Sequence, residues 1–523
     1  MNRSSLFSLV FILILTSCME REHSDVRGGE ESLTVVQSSD IFTLDPHTFA
    51  ETVTQSTLYR IMEPLIRLDS ECKIDLEGSL AEGWSNPDDL TWKFFIRPDV
   101  KFHNGKLLTA SDVVASILRA RNHPQTDVGG GFGNVAQITA ESQNVLVIRM
   151  NKPSAILPYL LYSCLIMTEQ QARRWSEEEL NETPIGTGPY RLVSWERGKA
   201  VKLEAFEEYW RGKPAFDHVS IIPQTDPEKR VGMLSNGEAD LIVDIPVDMV
   251  ETVLSLPQVK FISQVGIRVI FLGFDVSRDE SPYVDVTPNP LKDIRVREAI
   301  YRAIDENMII NEVLNGFGKA ASQFCSPYVF GFNPNLERLP YDPRKARELL
   351  TEAGYPDGFS ITLHCPNNRY VKDEEIGEMV VKQLRAVGID AKLEALPKEI
   401  FIPNTIDRKY SFFLMGWDCP NGDASSVFLD WLHSNDGGVY GYINAGGYSN
   451  ASLDSIIEET EITLDPVKRA QLFEHAQEIG MSDIPWVPLH TQMNLYGVRK
   501  NISFKPRLDK QISLEEIYPE AAQ

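Results

Sequence analysis

Apolar and polar positions alternate along this chain in two periods. Trp92, Phe94 and Ile96 point one way between more polar neighbours, so Thr91 to Ile96 reads as a strand. Asn104-Gly105 has turn chemistry and follows Phe102. Thr109-Ala-Ser-Asp112 has capping-box form, and Val113, Val114, Ile117 and Leu118 then repeat at helical spacing. Asp342 and Pro343 predict a second helix start, Ala346, Leu349, Leu350 and Ala353 its buried stripe, and Gly354 its end. Ile376, Met379, Val380 and Leu384 give Glu374 to Val387 an apolar face, with Gly388 as the stop. Val296 to Leu314 predicts two short helices, and Leu453 to Ile462 with Pro466 to Ile479 a late helical pair. Gly129 to Gly133 reads as a mobile surface loop. The mixture is an α/β pattern of long connectivity, without internal repeats.

The first seventeen residues depart from it. Arg3 supplies a positive start, Leu6 to Leu15 an apolar core, and Leu15-Thr16-Ser17-Cys18 the form of a bacterial lipobox. Residues 1–17 are therefore expected to be a lipoprotein signal, Cys18 the lipidated residue, and residues 18–32 a polar tether holding the body to a membrane. Whether that membrane is inner or outer is left open. After residue 17 no apolar run approaches the ~20 residues of a spanning helix; Tyr159 to Met167 is read as core.

Of 523 residues, 51 are Lys or Arg and 75 Asp or Glu, a net charge of −24. Such a surface argues against nucleic acid and against docking on anionic lipid. Cys72, Cys164, Cys325, Cys365 and Cys419 form no CxxC pair, and buried apolar packing is their simplest role. Four Gly-Lys pairs lack the Ser/Thr of a P-loop, and no two histidines stand three or four residues apart. Neither a cofactor nor a metal is expected. Ser70-Glu-Cys-Lys73 matches SxxK without its KTG partner, which keeps a lipid-anchored serine hydrolase only as a distant alternative.

Several blocks together resemble the extracellular solute-binding proteins of family 5, which feed peptide- and nickel-type ABC importers. They include Glu63-Pro64-Leu65, Trp92 to Arg97 with Val100 to Gly105, and Gly186-Thr-Gly-Pro-Tyr190 with Trp195 and Tyr209-Trp210. Gly237 to Asp240, Arg295 to Ala299, Tyr341-Asp-Pro343, Gly416-Trp417 and Tyr448-Ser-Asn450 continue the series. The resemblance implies an α/β, two-lobed periplasmic-binding-protein clamp of type II, cluster C, with an extra third domain. Placed on this chain, one lobe takes residues 33–56, 177–265 and 489–523, the extra domain 57–176, and the other lobe 266–488. It also implies a monomeric, non-enzymatic, extracytoplasmic receptor that captures a solute, most simply a short peptide, for ABC permease subunits. A metal chelate, opine or sugar conjugate is the alternative cargo.

In similar peptide-binding proteins a Trp lines the cleft, and an Asp three residues later takes the peptide's amine. Here Trp417 is present, but Pro420 stands at the second position. Asp418 or Asp423 could substitute, with Asn421 between them; Asp423 reads equally as a turn cap. Arg369 lies where relatives place a carboxylate-binding arginine and reads equally as a surface ion pair, while Tyr370 is placed to stack. Asn444 and Tyr448 are read as approaching the cleft from a neighbouring loop, or else as holding turns.

Overall fold

Two strands much longer than the others organise the chain. In the computed structural model, which describes residues 31–48, 51–126 and 128–520, Val259–Phe274 runs antiparallel to Trp486–Arg499. Pairing extends from Val259 opposite Arg499 to Gly273 opposite Trp486, with register breaks between Val265 and Val269 and between Ile270 and Phe271. At one end Phe412–Trp417 joins Val259–Phe274, followed by the parallel strands Ser360–Pro366 and Asp390–Leu396. At the other end Leu241–Val243 joins Trp486–Arg499, then Ser32–Gln37 and His218–Pro223 in parallel, and Ala200–Ala205 and Tyr190–Glu196 antiparallel. With the short strand Gly318–Ala320, which also pairs with Trp486–Arg499, these make one eleven-stranded sheet that serves two bodies, and the two long strands carry the chain between them. The boundaries expected at 265/266 and 488/489 fall inside these strands, close to the breaks.

Each body fills its side of the sheet with its own apolar cluster. Phe271, Phe274, Phe324, Phe412 and Trp431 centre one, and Leu58, Tyr190, Val219 and Tyr496 the other. A separate four-stranded sheet, ordered Ala81–Asp88, Thr91–Ile96, Val145–Met150 and Val135–Ser142, packs with the helix Ala110–Asn122 around Phe94, Phe102 and Phe132.

Local chemistry explains most element ends. Asp112 accepts the Thr109 N–H at 3.0 Å, so an orphan donor at the helix start is satisfied. Asp342 accepts the Lys345 N–H at 2.9 Å and opens Pro343–Glu352. The third helix is Asp373–Ala386, and the late pair runs Ala451–Ile462 and Pro466–Asp483. The segment Val296 to Leu314 divides into Ile294–Ala303, Glu306–Met308 and the wide turn Ile309–Val313.

Gly129 to Gly133 differs from its expectation as a loop. It belongs to the 3-10 helix Gly129–Asn134, anchored by the fully buried Phe132. Gly129 sits so close to the preceding helix that a Cβ would stand 2.1 Å from the Ala120 carbonyl oxygen.

Two of the family-like sequence blocks, Glu63-Pro64-Leu65 and Gly186 to Tyr190 with Tyr209-Trp210, meet at Glu63. Its carboxylate accepts from the Thr187 hydroxyl at 2.8 Å, the Tyr209 hydroxyl at 2.8 Å and Trp210 Nε1 at 3.0 Å. Burial pushes its carboxyl up to about 7 against those three donors. The five body cysteines are free and buried. Among the described residues no helix is long and apolar enough to cross a membrane, and no His/Cys/Asp/Glu group could hold a metal ion. Cys18, the signal and all but the last two residues of the tether lie outside the described residues.

Candidate functional site

Residues from both halves of the large sheet line a cleft of about 790 Å³. One wall follows the strand Ser32–Gln37 into Ser38 and Ser39 and adds the helix start Glu51-Thr52-Val53, Arg230 and Asp244. The opposite wall is the segment Asn367 to Val371 with Arg268 and Lys398. Gln492 and Asn494 of the long strand form the floor, and Lys510 and Ile512 close one side.

The opposite wall is shaped by few contacts. The buried carboxylate of Asp373 accepts the Arg369 and Tyr370 N–H groups, each at 2.9 Å, and so fixes the segment that presents the Arg369 guanidinium. The Tyr370 hydroxyl donates to the Gly416 carbonyl at 3.1 Å. A Cβ on Gly416 would meet the Tyr370 ring at 2.9 Å, so the approach requires glycine there. Arg268 lies in the register break before Val269, where a bulge re-aims the side chain. Its guanidinium donates to Asp418 Oδ2 at 2.6 Å; burial works against its charge, and the Asp418 carboxylate restores it.

The charge balance of this cleft opposes that of the whole chain. Five cations, Arg230, Arg268, Arg369, Lys398 and Lys510, line it with two carboxylates, Glu51 and Asp244. Both carboxylates are engaged. Glu51 caps a helix by accepting the Val53 and Thr54 N–H groups at 3.1 Å. Asp244 accepts from the Ser38 hydroxyl at 2.7 Å and pairs with Lys510 at 3.1 Å. Burial raises its carboxyl, but Lys510, Ser38 and Arg230 override that and hold it at about 2. Among the described residues no carboxylate pairs with Arg369, which leans over the Tyr370 ring at 5.7 Å, nor with Lys398. The cleft therefore offers uncompensated positive charge to an anionic group, within walls that weaken screening.

The structure brings only some of the expected residues here. Arg369 and Tyr370 line the cleft, and Asp418 reaches it through Arg268. Trp417 is half-buried, edge-on to Trp431 at 5.6 Å, with its indole N–H buried and unpartnered. Asp423 is fully buried and held bidentately by Arg469, at 2.5 and 2.8 Å, so its carboxylate is committed within the protein. Asn421 accepts the Asp423 N–H at 3.2 Å and shapes that turn. Asn444 joins the His433 carbonyl to both backbone groups of Tyr448, and the Tyr448 hydroxyl donates to Asp483 at 2.6 Å. For Asn444 and Tyr448 the turn-holding role is the one with visible partners. Arg230, Arg268, Lys398, Lys510, Asp244, Gln492 and Asn494 carried no readable signal, because each is scattered in sequence and gathered only by the sheet.

Among the described residues nothing at Ser70 assembles a nucleophile and base. Lys73 is exposed and pairs with Glu71 at 2.7 Å on the hairpin beyond Ser70.

A sheet shared by two bodies, with a polar cleft between them and a third small body alongside, defines a clamp-type binding protein. A profile of the bacterial extracellular solute-binding proteins, family 5, matches residues 75–439. The chain belongs to that family. It is similar to the glutathione-binding protein GsiB of Salmonella typhi, 28% identical over 483 residues, which cover 90% of this chain and 91% of that one. Among solved structures it resembles the ABC transporter substrate-binding protein CtaP of Listeria monocytogenes, with a TM-score of 0.83 at 22% identity, covering 94% of this chain and 100% of that one. It also resembles the ABC transporter-associated periplasmic binding protein DppA of Helicobacter pylori in complex with the peptide STSA, with a TM-score of 0.77 at 21% identity, covering 94% and 99%.

Proposed function

We propose that this chain is the lipid-anchored receptor of an ABC importer and that it captures a short peptide with exposed carboxylates. One observation carries the reading: the cleft of an otherwise acidic protein gathers five cations against two carboxylates, and among the described residues no carboxylate pairs with Arg369 or Lys398. Carboxylates of a bound peptide would supply those partners as charge-assisted hydrogen bonds. The named ligands of similar proteins, glutathione and the peptide STSA, agree with a peptide scaffold. In this reading residues 33–56, 177–265 and 489–523 move as one lobe, 266–488 as the other, and 57–176 rides as a third body. Cys18 carries the lipid, and the closed form is what the permease receives. Ligand contacts to both lobes favour that closed form by differential affinity.

A second reading keeps the clamp and the carboxylates but drops the free amine. Asp418 is paired with Arg268 and Asp423 with Arg469, so neither is free at the loop expected to hold an amine. Calorimetric titration of the full chain in detergent separates the readings. Glutathione and trialanine, each with free and amidated carboxyl termini and with free and acetylated amines, are the probes. Amidation is expected to weaken binding at least tenfold. Equal affinity of free and amidated forms would refute the carboxylate claim. Indifference to acetylation would favour the second reading.

A further inference from the structure

A smaller cavity of about 200 Å³ adjoins the cleft and shares Asp244, Gln492 and Lys510 with its wall. Its lining is mainly apolar. Val247 comes from one lobe, Leu314 and Phe317 from the other, and Met493 from the long strand between them. An engineered apolar cavity of about 150 Å³ takes up benzene, so this one has room for a ring-sized group.

Polar residues interrupt the apolar surface: Asp244, Lys372 and Lys510 also line it, with His490 and Gln492. Among the described residues, two of the lining side chains each carry a buried polar atom without a hydrogen-bond partner, His490 Nδ1 and Gln492 Oε1. His490 is 1% exposed and Gln492 5%. Buried polar atoms in folded proteins are almost always satisfied, so each exception asks for an explanation. A donor carried on the entering group would satisfy one of them.

The cavity is also a product of closure, because its walls come from both lobes. A clasp at its edge joins them: Lys372 Nζ meets Asp248 Oδ2 at 2.5 Å, and Asn315 Nδ2 donates to the Val247 carbonyl and Asp248 Oδ1, each at 3.3 Å. A group filling the cavity therefore has no equivalent site in an open clamp, and its binding shifts the population toward closure.

We infer that this cavity is the specificity pocket of the receptor, taking one ring-sized apolar side group of the bound solute that carries a hydrogen-bond donor, as a tyrosyl side chain does. The inference rests on the reading that the solute's main body lies in the adjoining cleft. Val247→Phe and Leu314→Phe each fill the cavity from a different lobe, so a folding failure in one leaves the other.

The test is calorimetry on the full chain in detergent, with trialanine and its analogues bearing leucine, phenylalanine or tyrosine at each position in turn. The wild type is expected to prefer tyrosine at one position at least tenfold over alanine. Either filling variant is expected to erase that preference while trialanine binding stays within twofold. A preference that survives in both variants, or no preference in a wild type that binds trialanine, overturns the inference. If no tripeptide binds, the peptide reading fails, and phenol decides the cavity separately. Crystals of the full chain soaked in phenol would show it between Val247 and Leu314 in support. Water alone on His490 and Gln492 would overturn the pocket.

Discussion

Asp423 separates two accounts of the same residue, a ligand carboxylate or an internal counter-ion. Its carboxylate is fully buried, and the Arg469 side chain that grips it is 4% exposed. Arg469 also donates to the Thr460 carbonyl at 2.8 Å and lies over the Phe473 and Phe330 rings at 4.9 and 5.3 Å. Asp423→Asn keeps the shape and removes the charge, leaving a guanidinium buried without a counter-ion. Breaking one side of such a pair costs about 3–5 kcal/mol. In a lobe of 150–250 residues that lowers the melting temperature by roughly 6–20 °C. The assay is differential scanning calorimetry with parallel ligand titration. The expected outcome is a large drop in melting temperature with affinity held within twofold in the folded protein. A ligand-binding Asp423 would give the reverse: unchanged melting and a loss of ~1.5–3 kcal/mol, or roughly 10–150-fold, in affinity. That reverse result would refute the reasoning. The double substitution Asp423→Leu with Arg469→Met adds a check, because replacing both partners by apolar groups is often neutral or stabilising.

Other outcomes follow from the same contacts. Arg369→Ala should weaken a carboxylate-bearing ligand by about 10–150-fold, as loss of a charge-assisted bond implies, while its amidated analogue binds both proteins alike in the same titration. Burial holds the His490 imidazole down at about 4. The unfolded chain therefore takes up its proton first as pH falls below ~6.5, and the stability present above that pH drains away toward pH 4. Between pH 7 and 5 this amounts to about 2 kcal/mol of the wild type's loss, and denaturant titration of His490→Phe should show that part missing. Lys372→Met removes a partly exposed interlobe pair worth ~0.2–1 kcal/mol; fluorescence energy transfer between the lobes should show the closed population of the free protein fall, with no change in melting.

The sequence made the local structure legible and the long-range pairing opaque. Thr109 with Asp112, Asp342 with Pro343, and Gly354 are short-range signals, and each stands where expected because capping chemistry acts within one helical turn. Gly129 misled because its glycine serves close packing on Ala120, which needs a partner nine residues away to be seen. Arg369 and Tyr370, which line the cleft, were candidates only through the family resemblance. Arg268 was not legible, because its aim comes from a bulge, which leaves no residue signature. The pairing of Asp423 with Arg469 spans 46 residues, and that of Asp244 with Lys510 spans 266. Patterning reads which face an element buries. It does not read which cation on a distant element meets which carboxylate, and that decides which carboxylates are left for a ligand.

The most direct measurement is native mass spectrometry of the full chain, purified without denaturation, with fragmentation of whatever it releases. The expected result is a bound peptide whose free carboxylates outnumber its free amines, lost on Arg369→Ala. A released solute with no carboxylate, retained in that variant, would contradict the cationic cleft as the basis of recognition.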